Sequence, residues 1–301
     1  MKKIEHVKVE NGMKVNELIR RMGNCGMNAK KLSLVVDVCE SMINDKDCVV
    51  FMGQSGAMVP AGMKNLFVEL IKNKWIDVFV TTGATLTHDL VEALGNNHYQ
   101  GDEYADDAEL NKKGFDRMYD VLMSNEVYPI IEDFLDKHME EIKKVETVQE
   151  LLRLIGSKLD EDSILGAAYK NNVKIYCPAF IDSGFGMILS FKGININQFK
   201  DLEEFLKPVW DMKKKGFIYI NGGVPKNYIQ QSLQFSKNGG ADYGVQITMD
   251  RVETGNSSGA ELKEGISWGK LKVKAKYVDL RADTTIVLPI IIACLKERIK
   301  K

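Results

Sequence analysis

The sequence predicts an α/β protein with a Rossmann-like, doubly wound and mostly parallel sheet that carries helices on both faces. Short apolar segments, typical of buried strands, alternate along the chain with amphipathic segments, typical of helices. The strand segments are continuously apolar, which indicates parallel strands covered on two faces. Glycines and small residues recur after these segments, as strand-to-helix turns require.

Each element follows from this alternation. The strands are predicted at 48–52, 77–82, 173–177, 217–221, 243–248 and 273–280. The helices are predicted at 28–44, 63–74, 87–94, 148–159, 198–214, 226–237 and 284–296. Asn28 is expected to cap the first helix with its side chain. We expect a single domain over 1–301, with a charged helical excursion at about 101–144.

Composition excludes several classes of function. The formal net charge of −1 over 301 residues does not favour a broad nucleic-acid or membrane surface. The longest apolar segment, 285–295, is shorter than the roughly 20 residues that span a bilayer. Residues 1–12 are polar and lack the core of a signal peptide. Five scattered cysteines without a CxxC pair indicate reduced thiols, and we expect a cytoplasmic location.

No metal site is predicted. The histidines at positions 6, 98 and 138 have no metal-ligand spacing with cysteines or carboxylates. His88 stands beside Asp89 at a predicted helix start, where it is expected either to cap or pack, or to transfer protons.

The segment from Glu264 to Lys270 is the strongest candidate for chemistry. A lysine beside a tryptophan and a glycine can be partly desolvated, which favours the neutral amine that forms imines. Trp268 could stack on a cationic alkylamine, and Glu264 could bind an ammonium group or move a proton. The alternative is a surface lysine at the start of a strand, because lysines occupy every second position from 270 to 276.

This segment resembles the deoxyhypusine synthase family, which has a Ser-Trp-Gly-Lys sequence after a Gly-x-x-Ser-Gly loop. Four further matches follow in the order of the family: Thr81-Thr82-Gly83-Ala84, Cys177-Pro178-Ala179-Phe180-Ile181-Asp182, Gly222-Gly223-Val224-Pro225-Lys226 and Gly240-Ala241-Asp242-Tyr243. Ala282-Asp283 precedes the last helix, as in the family. The similarity extends from about Cys48 to Leu295.

The resemblance implies a transferase of alkyl groups. In the family, NAD oxidises an alkylamine such as spermidine to an imine, and the active-site lysine accepts the aminoalkyl group as a Schiff base. An acceptor amine then takes the group, and the retained NADH reduces the new imine. The acceptor is a lysine of the hypusine-containing translation factor or, in homospermidine-forming members, putrescine. The family assembles as a homotetramer with sites at subunit interfaces.

Carried over by position, Lys270 is the expected nucleophile. The amine site is expected to include Trp268, Glu264, His88, Asn227 and Ser257. The expected NAD contacts are Gly56, Ala57, Met58, Val59, Pro60, Thr82, Gly83, Ala84, Asp182, Gly222, Met249, Asp250, Asp283 and Thr284. Asp182 and Asp283 fit this role because carboxylates bind ribose hydroxyls.

The departures from the family fall mainly on the acidic amine site. Thr87 and His88 replace a Glu-Glu pair, Met187 and the loop residues Thr254 and Ser257 replace aspartates, and Asn227 replaces a histidine. Each lost charged hydrogen bond costs on the order of 1–3 kcal/mol. Spermidine binding is therefore expected to be weaker, unless other acidic side chains replace the lost ones: Asp250, Glu253 and Glu261.

Several hypotheses about function follow from these departures. The chain could be a paralogue that acts on a less cationic amine, an enzyme that retains spermidine, or a catalytically silent NAD-binding assembly protein. A plain NAD-dependent dehydrogenase, which would not need Lys270, is a separate alternative.

Overall fold

The computed structural model describes residues 1–299, and these form two compact units. The first unit comprises Met1–Gln54, Trp75–Val80 and the chain from Glu204 onward. The second comprises Ser55–Lys74 and Thr81–Glu203. The expectation of a single domain over 1–301 stays a prediction.

A parallel sheet forms the centre of the first unit. Its strands are β1 (Cys48–Gln54), β2 (Val78–Val80), β7 (Lys214–Ile220), β8 (Ala241–Thr248) and β9 (Leu271–Arg281). They lie side by side in the order β2-β1-β7-β8-β9, and every neighbouring pair is parallel. The predicted α/β class and mostly parallel sheet are confirmed.

Helices surround this sheet. They are α1 (Val15–Met22), α2 (Met27–Asn44), α11 (Gln198–Asp211, which begins in the second unit), α12 (Gly223–Gln234), the 3-10 turn Val252–Thr254, α13 (Glu264–Ser267) and α14 (Thr284–Arg298).

Two glycines show that helices α2 and α12 cover opposite faces of the sheet. A Cβ on Gly216 of β7 would meet Met42 of α2, and a Cβ on Gly53 of β1 would meet Ile229 of α12. Val50 is the register partner of Gly216 and lies three residues before Gly53. Because strand residues alternate between faces, Gly53 points away from the face that Gly216 shares with Val50. The prediction of helices on both faces is therefore confirmed.

The second unit is mostly helical. Its elements are α3 (Lys64–Lys72), α4 (Gly83–Ala93), β3 (His98–Gln100), α5 (Asp107–Lys112), β4 (Phe115–Met118), β5 (Val121–Ser124), α6 (Val127–Lys137), α7 (Met139–Ile142), α8 (Val148–Gly156), α9 (Ile164–Asn171), β6 (Lys174–Tyr176) and α10 (Gly184–Phe191). Helix α9 packs against α3 and α8, and buries Phe67, Leu151 and Ile164.

The excursion at 101–144 is only partly helical. It contains α5, α6 and α7, but also the antiparallel pair β4–β5, and β3 extends that pair to three strands. These strands are short, half-buried and rich in charged neighbours, so the apolar pattern that revealed the other strands is missing here.

Four helix starts differ from the prediction: α3 begins one residue later, and α2, α4 and α12 begin one, four and three residues earlier. Helix α2 begins at Met27 after Gly26, without a side-chain cap, and the Asn28 side chain donates to the Arg281 carbonyl at 2.8 Å. Helix α4 begins at Gly83 rather than at 87, because the Thr82 hydroxyl caps it by accepting from Thr85 N–H. Within residues 1–299, no helix combines the length and apolar character needed to cross a membrane.

Candidate active site

Lys270 occupies a backbone position that is fixed on both sides. Its N–H donates to the Gly265 carbonyl at 2.8 Å, and its own carbonyl accepts from Ala241 N–H at 3.0 Å. Gly269, immediately before it, has a φ of 71°, a left-handed conformation that favours glycine. A Cβ on Gly240 would lie 2.4 Å from the carbonyl carbon of Lys270. The main chain at Lys270 therefore has little freedom.

The Lys270 side chain lies against Trp268. Its Nζ is 5.0 Å from the centroid of the Trp268 ring, within the range of a cation–π contact. Lys270 is half-buried, whereas Trp268 is 61% exposed and Glu264 is exposed. The predicted trio thus shares one short segment, α13 and the turn after it, that is open to solvent.

A second lysine, Lys226, is buried beneath this segment. Its Nζ donates to the carbonyls of Ser257 and Ala260, at 2.6 and 2.7 Å. Burial lowers the pKa of Lys226 to about 8; the charge of Lys270 also lowers it, while Asp279 and Glu264 raise it. Lys226 therefore holds the 257–260 loop and is electrostatically coupled to Lys270.

Other polar side chains bind this loop and the residues just after it. The Asp279 carboxylate accepts from Leu262 N–H at 3.1 Å, and burial raises the pKa of Asp279 to about 6. Gln246 donates from Nε2 to the Ala260 carbonyl at 3.0 Å. In parallel register, Tyr219, Gln246 and Asp279 lie side by side on β7, β8 and β9. The Tyr219 hydroxyl and Gln246 Oε1 are buried without a hydrogen-bond partner among residues 1–299.

Five of the predicted NAD contacts follow the carboxyl ends of neighbouring strands in the first unit. Gly222 follows β7, Met249 and Asp250 follow β8, and Asp283 and Thr284 follow β9. A Cβ on Gly222 would lie 2.4 Å from the Ser258 Cα, so packing alone requires glycine there. Asp283 caps α14 by accepting from Thr285 N–H at 2.8 Å.

Lys270 lies at the opposite ends of these strands, that is at their amino ends. Leu271, the residue after it, pairs with Ala241 at the amino end of β8, while Arg281 pairs with Thr248 at the carboxyl end. The eight residues of β8 span roughly 25 Å at the usual rise of a strand. Within one chain, the main chain of Lys270 and the predicted cofactor residues of this unit are therefore separated by the length of a strand.

The remaining predicted NAD contacts lie in the second unit. Gly56 has a φ of 82° and, like Ala57, is exposed, whereas Met58, Val59 and Pro60 are buried. Thr82, Gly83 and Ala84 form the start of α4, and Asp182 is exposed just before α10. A Cβ on Gly83 would lie 2.5 Å from the Ser183 hydroxyl, so packing also explains this glycine.

His88 belongs to a chain of polar contacts in the second unit. Its Nδ1 lies 3.0 Å from His98 Nε2, and His98 Nδ1 lies 2.8 Å from a Glu92 carboxylate oxygen. Lys64 pairs with the other Glu92 oxygen at 2.8 Å. We call these four residues the histidine relay. The neighbouring Asp89, fully buried, caps α9 by accepting from Ile164 and Leu165 N–H.

The other substituted positions are on the surface or interact through the backbone. Met187 is 51% exposed, and Asn227 is exposed at the start of α12. Ser257 is half-buried, and its carbonyl binds Lys226. The exposed Thr254 donates from its hydroxyl to the Arg251 carbonyl at 2.8 Å. Residues 1–299 contain no group of three or more His, Cys, Asp or Glu side chains that could hold a metal ion.

Comparison with known proteins assigns the family. The sequence profile described as "Deoxyhypusine synthase" matches residues 17–295. The chain belongs to the deoxyhypusine synthase family. A relative named "Probable deoxyhypusine synthase" from Methanosarcina thermophila is 38% identical and covers 99% of this chain and 96% of its own. A relative of the same kind from Archaeoglobus fulgidus is 37% identical, with 96% of each chain covered.

A solved structure shows the same fold. A structure described as "a putative deoxyhypusine synthase" from Entamoeba histolytica has a TM-score of 0.64 and 19% identity, and covers 97% of this chain and 96% of its own. Membership in the deoxyhypusine synthase family indicates that this chain is a transferase.

Sequence reasoning missed three groups that the structure places in or near the family motifs. The sequence identifies Lys226 as the lysine of the Gly-Gly-Val-x-Lys match, but it does not predict that Lys226 is buried or that two carbonyls bind it. Asp279 lies within a predicted strand, and the strand pattern gave no indication that its carboxylate binds the main chain of another segment. Glu92 and His98, which contact His88 and each other, are six residues apart and cross a turn, so neither helical nor strand periodicity connects them.

Proposed function

We propose that this chain catalyses NAD-dependent aminoalkyl transfer through a Schiff base on Lys270. An alkylamine loses a hydride from carbon and a proton from nitrogen to become an imine, and Lys270 Nζ attacks the imine carbon with release of a small amine. An acceptor amine then displaces Lys270, and reduction of the resulting imine completes the transfer. The observation that carries this proposal is the fixed, solvent-accessible position of Lys270 beside Trp268, in a chain of the deoxyhypusine synthase family.

The surroundings of Lys270 support a nucleophilic role. The backbone contacts to Gly265 and Ala241 fix its starting point, and the Trp268 face offers an apolar surface for an alkyl chain. Glu264, exposed on the same segment, can bind an ammonium group. The second lysine, Lys226, is engaged by two carbonyls and is buried, so Lys270 is the better placed of the two amines.

The residues present fit NAD. Helix α12 begins at Gly223 without a side-chain cap, and backbone N–H groups at such a helix start bind phosphate. Asp250 and Asp283 follow adjacent strands and can accept hydrogen bonds from ribose hydroxyls. When bound, NAD supplies the oxidant for the first half of the reaction and, as NADH, the reductant for the second. Each of the other residues predicted to contact NAD is proposed here for the same role.

The distance between Lys270 and the carboxyl edge of its sheet supports a site shared between copies of the chain. A lysine side chain does not extend along eight strand residues, so Lys270 and the β8 and β9 cofactor residues of one chain are poorly placed to meet. A homotetramer in which one copy supplies Lys270 and another supplies these residues resolves this, and we propose that assembly.

Spermidine or a related amine is the proposed donor. The proposed acceptor is a lysine of the hypusine-containing translation factor or a small amine. A specific observation favours a second candidate, in which the enzyme is homospermidine synthase-type or acts on a less cationic amine. The side chain at position 88 is an imidazole, which is neutral or positively charged and therefore supplies no countercharge for a polyamine.

Trapping the Schiff base tests the proposal. The full-length protein is incubated with NAD and, in separate reactions, with spermidine, 1,4-diaminobutane and basic amino acids, and then reduced with borohydride. We expect a substrate-derived mass on the Lys270 peptide and a transient of NADH absorbance. Lys274→Arg, at an exposed lysine of the strand that begins after Lys270, is the matched control and should label normally.

Each alternative has its own outcome. NADH formation without any labelled lysine would replace the proposal with a plain dehydrogenase. NAD binding without NADH formation from any amine would indicate a catalytically silent assembly protein.

A further inference from the structure

Two buried polar side chains lie side by side on the sheet of the first unit. Tyr219 of β7 and Gln246 of β8 are register partners, so their side chains lie on the same face of the sheet. The Tyr219 hydroxyl and Gln246 Oε1 are both buried, and residues 1–299 supply no hydrogen-bond partner for either atom. Because buried polar groups in native proteins are nearly always hydrogen-bonded, this pair requires an explanation.

The orientation of the Gln246 amide is fixed by its other contact. Its Nε2 lies 3.0 Å from the Ala260 carbonyl oxygen, which can only accept. The amide must therefore present its nitrogen to Ala260, which leaves the acceptor Oε1 unmatched. Burial raises the pKa of Tyr219 well above its ordinary value, so the hydroxyl keeps its proton and remains a donor. The two unmatched groups are thus a donor and an acceptor that do not bind each other.

The surroundings close this place off from solvent. Helix α12 covers this face of the sheet, since a Cβ on Gly53, the register partner of Tyr219, would meet Ile229 of that helix. Leu262 covers the next part of β8, where a Cβ on Gly244 would lie 3.3 Å from its side chain. Both covering side chains are fully buried. Any group that satisfies the two polar atoms must therefore be small and held inside the protein.

We propose that one internal water molecule binds between the Tyr219 hydroxyl and Gln246 Oε1. A water molecule accepts from the hydroxyl and donates to the amide oxygen, so it matches both groups at once. A cation is disfavoured, because the Lys226 ammonium group donates to the same Ala260 carbonyl as Gln246 and would repel it. An anion is disfavoured, because Gln246 Oε1 offers it no proton. This site is independent of the reaction proposed above.

The water connects the sheet to the loop that carries Ser257. It binds Oε1 of Gln246, whose Nε2 binds the Ala260 carbonyl, and Lys226 binds both that carbonyl and the carbonyl of Ser257. The sheet, the water, Gln246 and Lys226 therefore form one buried hydrogen-bond network that ends at the main chain of the loop.

A high-resolution crystal structure of the full-length protein tests the site directly. We expect a single density peak within hydrogen-bonding distance, about 2.5–3.0 Å, of the Tyr219 hydroxyl and of Gln246 Oε1. A direct hydrogen bond between these two atoms, or the lack of a peak that contacts both, would overturn the proposal. An anomalous signal at the peak, from crystals grown with rubidium in place of sodium, would also overturn it, because the ligand would then be a cation.

Stability measurements give a second test, whose sign depends on the water. Tyr219→Phe removes only the hydroxyl, so the folding equilibrium constant from urea titrations should fall about fivefold to tenfold with the lost hydrogen bond. Tyr104→Phe, at a tyrosine that is 85% exposed, is the control and should change it by less than about threefold. An unchanged or larger equilibrium constant for Tyr219→Phe would refute the water site, because removing an unsatisfied buried hydroxyl does not destabilise a protein.

Discussion

The lysine site of the first unit and the histidine relay of the second unit hold their functional groups by different means. We define the lysine site as Lys226, Glu264, Trp268, Lys270 and Asp279. There, two backbone carbonyls bind Lys226 Nζ, the Leu262 N–H binds the Asp279 carboxylate, and hydrogen bonds of its own main chain fix Lys270.

In the relay, by contrast, side chains hold one another in series. A change at Glu92 or His98 therefore reaches His88 through one or two hydrogen bonds. The comparison teaches that a single substitution in the lysine site should have a local effect, whereas one in the relay should be transmitted.

The largest effect is expected at Lys270 itself. Lys270→Arg keeps the charge beside Trp268 but cannot form an imine, so turnover should fall by about a thousandfold or more. Amine-dependent NADH formation and product release are the measurements, with Lys274→Arg as the control. Activity within tenfold of wild type would show that the lysine site does not supply the nucleophile, and the comparison would lose its first member.

Lys226 should affect stability rather than chemistry. Lys226→Met removes the donor to the Ser257 and Ala260 carbonyls, and leaves buried acceptors with fewer partners. We expect the free energy of unfolding to fall by about 2–4 kcal/mol in urea titrations. Lys263→Met, at an exposed lysine just before α13, should change it by less than about 0.5 kcal/mol. Equal values for the two variants would mean that Lys226 does not anchor the loop.

His88 should make stability depend on pH. Its folded pKa, about 4, lies below the ordinary 6.5, so the unfolded state binds more protons between these values. The His88 contribution is therefore complete above pH 6.5 and is lost as the pH falls through 4, by about 3 kcal/mol.

Asp89 has the opposite sign. Burial raises its pKa to about 6, so the folded state binds more protons below that pH. The difference between wild type and His88→Gln cancels this shared contribution. That difference should be constant above pH 7 and shrink toward pH 4 in denaturant titrations. His6→Gln, an exposed histidine, should show no such trend, and a flat difference for His88→Gln would contradict the buried, neutral ring.

The smallest effect is expected from Trp268. Trp268→Leu keeps an apolar surface but removes the ring face 5.0 Å from Lys270 Nζ. An exposed cation–π contact contributes about 0.5–1 kcal/mol, so imine formation should slow by about twofold to fivefold. The rate of imine formation of Trp268→Phe should lie between those of wild type and Trp268→Leu. A loss as large as that of Lys270→Arg would show that Trp268 does more than contact the lysine.

Much of the fold could be predicted because most strands of the parallel sheet have a short apolar segment, whereas the first half of β9 alternates lysines with apolar residues. All six predicted strands are present, with ends shifted by at most three residues. The antiparallel strands at 115–124 could not be found the same way, since they are half-buried and include Asp116 and Arg117. The sequence pattern predicts the start of α4 four residues late, because it includes the capping residue Thr82 in the preceding strand.

The candidate site was predictable where a motif is local and not where it depends on tertiary contacts. Glu264, Trp268 and Lys270 lie within seven consecutive residues, and the structure keeps them in one segment. The fastening of the 257–260 loop by Lys226 spans more than thirty residues, and periodicity carries no information about it. The roles predicted for the NAD and amine contacts stay predictions, as do the cytoplasmic location, the homotetramer and the absence of a metal.

The close approach of Gly240 to Lys270 has a consequence for redesign. Only a hydrogen atom fits between that glycine and the lysine main chain, where a methyl group would sit 2.4 Å from a carbonyl carbon. The conformation of the Ser-Trp-Gly-Lys sequence therefore depends on a second residue, Gly240, which lies thirty positions before Lys270. Grafting the tetrapeptide alone onto another scaffold would move the lysine without the glycine that packs against its main chain. A successful graft must therefore include the neighbouring strand and the glycine before it.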